Sequence, residues 1–198
     1  MRLKLGSIPT SLDFIPDGNW KPMREPSPWL AQLIGIPIGA IAAAIIAILW
    51  FVLTPLRDAR PTLSYPTMLL ALVVITIVHE LSHAIVHPKA GCSSHTVLGF
   101  WPAKIVFYAH YDGELTRNRF VAILLMPLFV ISIMPLVLAA LVGASSGWLA
   151  FASSLNAFMA CVDILGAGML LFQIPATAIV RNQGWRTYWT EHVTLDAT

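Results

Sequence analysis

The chain has 198 residues, 57% of them hydrophobic and 11% charged, and a net charge of +2. A soluble domain carries about 25% charged residues, so this composition excludes an ordinary water-exposed globule and points to a membrane protein. So small a net charge also excludes a nucleic-acid partner held through its phosphates.

Residues 1–28 read as a cytoplasmic N-terminal segment containing Arg2, Lys4, Lys21 and Arg24. An uncharged apolar stretch over 29–53 follows, and roughly 20 such residues cross a bilayer. It starts too late and runs too long for a signal-peptide core, so a retained span is expected. The second span, 66–87, carries His79-Glu80-Leu81-Ser82-His83 near its end. After it, Thr96 to Trp101 and Ile105 to Tyr111 are rich in β-branched and aromatic residues and predict a short hairpin. Third and fourth spans are expected over 120–142 and 148–172, leaving 173–198 as a cytoplasmic tail. Between Phe120 and Val180 there is no Lys or Arg, and Asp163 is the only carboxylate.

Four spans put the N-terminal segment, the middle loop and the tail on one side. That side holds ten of the twelve Lys and Arg residues, and Arg57 and Arg60 fall on the other. The excess predicts cytoplasmic termini in the cell membrane. Trp148, Trp185, Tyr188 and Trp189 fit interfacial belts. The expected fold is an all-α membrane protein: one domain over 1–198, a bundle of about four transmembrane helices with a small cytoplasmic hairpin between the second and third. Cys92 on the reducing side and Cys161 inside a span argue against a disulfide.

HExxH has a mechanism behind it. On a helix, positions i and i+4 share a face, so His79 and His83 can turn both imidazoles toward one Zn²⁺. Glu80 falls beside them, where a carboxylate can take a proton from the attacking water. Two His and a Glu inside hydrocarbon are costly, which makes them functional candidates by default. His79 lies about 20 Å along the helix from Pro66, near the cytoplasmic end and close to water.

A catalytic zinc site takes three protein ligands and keeps one position open. Asp163, the lone charge of the fourth span, is the strongest third candidate; a protonated carboxyl or a pairing with a cytoplasmic Arg is the bland reading. His87 continues the i, i+4 series, but each step rotates by about 40°, so three such ligands diverge. Pro88 also ends the helix there, and His87 reads as interfacial or supporting. Asn156, two turns before Asp163, could bind substrate backbone or join ordinary interhelical hydrogen bonding. His95, His110 and His192 read as solvated. The hairpin edge could accept an extended substrate as an added strand or simply cover the site.

The order of elements is a span with HExxH, a β-prone loop, a span, then a span with Asn156 and Asp163. It resembles the core of the site-2 intramembrane metalloproteases, and more closely the compact putative zincin peptidases. The resemblance covers about residues 66 to 190. It departs from the site-2 pattern at Asn156-Ala157, Asp163-Ile164 and Met126-Pro127, where Asn-Pro, Asp-Gly and Gly-Pro are usual. It implies that His79, His83 and Asp163 bind zinc, that Glu80 is the catalytic base, and that the substrate is a membrane-anchored protein or peptide. The competing function is a non-proteolytic metal-binding membrane protein, either a pseudo-protease regulator or a metal carrier.

Overall fold

The computed structural model describes residues 1–55, 64–144 and 146–191; Arg57, Arg60 and His192 lie outside them. Helices dominate. Helix α1 (Pro28–Leu53) begins where Ser27 Oγ accepts from Leu30 N and Pro28 takes the first turn, where a missing N–H breaks no bond. Helix α2 (Tyr65–Val86) starts on a reciprocal cap between Ser64 and Thr67 and stops before Pro88. Arg119 Nε closes its end by donating to Val86 O at 2.9 Å.

Helix α3 (Arg117–Pro127) passes through a wide π-helical turn, Leu128–Ile133, into α4 (Met134–Val142). Helices α5 (Gly147–Met159) and α6 (Cys161–Gln173) complete the set. Pro28–Leu53, Tyr65–Val86 and Arg117–Val142 are long and apolar enough to cross a membrane, and α5 with α6 makes a fourth if counted as one span.

The stretch expected as one span over 148–172 is bent by 50° at its single break. No Pro or Gly lies between Trp148 and Leu165 to cause this. The cause is tertiary. Helix α1 closes on the break with Gly35 and Gly39, and a Cβ at Gly39 would sit 2.5 Å from Phe158 O and 2.9 Å from Cys161 Cβ. Such small-residue approach is the usual way apolar helices meet.

Two sheets lie beside the helices. In the first, β1 (Arg2–Leu5) runs parallel to β3 (Thr96–Trp101), which pairs antiparallel with β4 (Val106–Tyr111). The predicted hairpin thus forms, with Ile105 in the turn at φ 53° rather than in the strand. The second sheet has the order β2 (Lys21–Pro22), β7 (Arg186–Thr190), β6 (Ile179–Gln183), β5 (Leu115–Thr116). The fold is therefore mostly helical with two small sheets, not all-α. The segments expected as a cytoplasmic N-terminal stretch and tail contain short strands, because each strand finds a partner across the chain.

Two apolar clusters anchor these layers. Ile123, Leu170, Leu115 and Val180 join α3 and α6 to the second sheet. Trp50, Leu136 and Ala157 join α1, α4 and α5. The expectation for His110 also changes: His95 is exposed, but His110 on β4 is only 4% exposed. Burial pushes its pKa down to about 4, so it is neutral at physiological pH.

Candidate metal centre

Helix α2 places His79 and His83 one turn apart, each 5% exposed, with ring centroids 4.9 Å apart. The bend before α6 brings Asp163 to them from the first turn of that helix. His79 Nε2 lies 3.1 Å from Asp163 Oδ2, and His83 Nε2 lies 3.6 Å from Asp163 Oδ1. One ligand atom from each of the three falls within 4.8 Å of the others. His87 is not among them. It is buried outside the cluster, with Nδ1 3.2 Å from Thr96 Oγ1.

The outer nitrogens define the proton arrangement. His83 Nδ1 donates to Ile123 O at 2.7 Å, and that carbonyl is free because Pro127, four residues on, has no N–H to offer it. His79 Nδ1 donates to Asn156 Oδ1 at 2.9 Å. Asn156 Nδ2 gives its two protons to Pro127 O and Ser132 Oγ, both at 2.9 Å, which fixes Oδ1 as the acceptor. The π-helical turn supplies this network. Pro135 cannot donate to Ile131 O, and Ser153 Oγ takes that carbonyl at 3.1 Å, while Ser132 Oγ donates to Ser153 O at 2.7 Å.

With Nδ1 of both rings donating, a neutral imidazole presents only a lone pair at Nε2. Two lone pairs then face the oxygens of one carboxylate, acceptor against acceptor. A second proton on the rings or a metal cation between them resolves the conflict, and two His with one Asp is a donor set that suits zinc with one position open. The hydrogen bonds behind each ring are the outer support such ligands normally carry. Glu80 is next to this point, and its Oε2 is buried without a hydrogen-bond partner. A free carboxylate beside a cation site is what proton transfer requires.

Asn156, offered by sequence to substrate or to interhelical bonding, is fully buried, and its amide is engaged inside the protein. It holds His79. Asn156→Leu is expected to weaken zinc binding about 10- to 100-fold, the usual cost of losing such a support. Competition with a chelator of known affinity reads this, and Asn156→Asp, which keeps the acceptor, should recover most of it.

The four residues open into a cavity of about 390 Å³. One wall is β4 with the turn before it: Ile105 of the turn and Val106 to His110 of the strand line it. The strand order β1-β3-β4 within the sheet leaves the other edge of β4 without a partner strand among the described residues. The wall also includes Glu25 and Trp185, which sequence reading passed over as a cytoplasmic segment and an interfacial aromatic. Their signal was non-local, since Glu25 is bonded to Thr187, 162 residues away.

Comparison with known proteins adds one finding. A protein-family model described as "Putative zincin peptidase" matches residues 72–179, a stretch that contains His79, Glu80, His83, Asn156 and Asp163. No curated protein and no solved structure matches the chain.

Proposed function

The chain belongs to the "Putative zincin peptidase" family, and from that premise we propose that it is a zinc-dependent endopeptidase cleaving membrane-anchored proteins within or beside their spanning segment. His79, His83 and Asp163 hold the metal, and Glu80 is the base. The observation that carries this reading is the convergence of His79 Nε2, His83 Nε2 and the Asp163 carboxylate within 4.8 Å of one another, with the unpartnered Glu80 oxygen beside them.

A membrane setting is supported by exposure. Only 17–22% of the most apolar windows of the three long helices is buried within the chain, so their apolar side chains need lipid. Strand pairing supports the orientation. Residues before α1 bond to residues between α2 and α3, and these in turn to residues after α6. Bonded strands share one side of a bilayer, and that side carries ten of the twelve basic residues. Glu80 and the His pair lie in the last two turns of α2, next to these strands, where water can reach a submerged site.

Zinc, when bound, supplies Lewis acidity to the scissile carbonyl and makes water a strong nucleophile near neutral pH. The protein does the rest. Glu80 accepts a proton as the water oxygen attacks the carbonyl carbon, then returns it to the amide nitrogen as the C–N bond breaks. Asn156 and Ile123 O keep both imidazoles aimed during these changes. The free edge of β4 can hold the substrate extended, which a helical peptide bond requires before attack.

The test is cleavage of single-span reporter proteins by detergent-purified enzyme. Cleavage lost on chelation and regained with about one equivalent of zinc is expected. Cleavage that persists without metal, or none in any reporter by zinc-loaded protein, would overturn the reading.

A further inference from the structure

The cavity wall contains a carboxylate that hydrolysis does not use. Glu25 precedes α1 and lines the cavity. Strand β7 fixes it: Thr187 N donates to Oε2 at 2.7 Å and Thr187 Oγ1 to Oε1 at 2.8 Å. No Lys or Arg lines the cavity, and among the described residues none forms an ion pair with Glu25. Burial raises its pKa, with the Thr187 bonds and the charge of Arg186 opposing. A half-buried carboxylate held rigid, facing a cavity and short of positive charge, is a receptor for a cation.

Trp185 provides a second element. Its indole Nε1 donates to Pro26 O at 2.9 Å, which anchors the ring in the same wall, one residue along the chain from Glu25. A carboxylate with an indole beside it suits an ammonium or guanidinium, the first by charge and the second by its π face. Both residues lie outside the matched stretch 72–179, so this wall is not part of what the family model covers.

We propose that Glu25 and Trp185 form a specificity subsite for a Lys or Arg side chain on the cytoplasmic flank of the substrate's spanning segment. Spanning segments carry an excess of Lys and Arg on that flank, so such a subsite would seat a substrate with its span toward lipid and its scissile bond toward Glu80. The inference rests on the peptidase reading of the site.

The experiment uses full-length, zinc-loaded protein with Glu80→Gln to stop turnover. Fluorescent single-span peptides, identical except for three Lys, three Gln or three Glu at the cytoplasmic flank, are titrated in detergent. The Lys peptide should bind about tenfold tighter than the Gln peptide, and the Glu peptide weakest. Adding Glu25→Gln should shrink the Lys-to-Gln ratio below about twofold, and Glu25→Lys should reverse the order. Trp185→Leu should lower the Lys preference severalfold. Zinc at one per chain checks that each variant is folded, and the three peptides on Glu25-intact protein need no further variant. Equal binding of the three peptides, no binding, or a Lys preference that survives Glu25→Lys would overturn the subsite. Failure of the peptidase reading looks different: a Lys peptide bound with the expected preference but left uncut when Glu80 is intact.

Discussion

Replacing Glu80 by Gln is expected to lower cleavage by about 10²- to 10⁴-fold while zinc stays at one per chain. Gln matches Glu in size and keeps α2 in place, but its amide cannot take a proton. Glu80 Oε2 has no hydrogen-bond partner to lose, so the substitution breaks no structural contact of that oxygen. Stability should therefore change little. Zinc content and turnover measured on one preparation separate the roles. Retained activity would remove Glu80 as the base, and lost zinc would make it a ligand.

Asp163→Asn is expected to empty the site. Structural zinc sites bind with about 10–16 kcal/mol shared over four ligands, so one ligand is worth roughly 2.5–4 kcal/mol, or about 10²–10³ in affinity. Asn can also donate to an Nε2 lone pair, which a carboxylate meets only when the ring is protonated or a metal lies between. The variant therefore relieves the acceptor conflict while removing the charge, and it should fold as well as the parent without metal. Zinc measured after dialysis against a weak chelator, beside His79→Ala as control, decides the point. Full zinc in the Asp163 variant would move the third ligand elsewhere.

The sequence made some of this legible for a physical reason. His79 and His83 are read from helical spacing alone, and Asp163 from being the only carboxylate in a long uncharged stretch. The support behind them was harder to see. Pro127 frees Ile123 O for His83, and this follows from helix geometry, but only once α2 and α3 are known to pack together. Asn156 owes its role to the π-helical turn, which no residue announces as such. The bend at Ala160 has no Pro or Gly of its own. Its sequence signal is on another helix, in Gly35 and Gly39 at small-xxx-small spacing. Strands of two residues, such as Lys21–Pro22 and Leu115–Thr116, have too little pattern to read and exist only through distant partners. His110 is buried because it shares the covered face of β4 with Tyr108, whereas Phe107 on the other face is exposed, and a loop read as polar gives no sign of which face is covered.

The pairing of β2 with β7 also sets an order of events during synthesis. Lys21 and Pro22 emerge from the ribosome early, and their partners Trp189 and Tyr188 only 168 and 166 residues later. In the interval α1 and α2, the HExxH helix, can already occupy the bilayer. The metal ligands are themselves split, since Asp163 follows His79 by 84 residues. A nascent chain therefore holds its histidines long before it has a complete centre, and gains the wall with Glu25 and Thr187 later still. On the proposed reading the ligand set is complete only once translation has passed Asp163, and the wall that would seat a substrate only once it has passed Thr187.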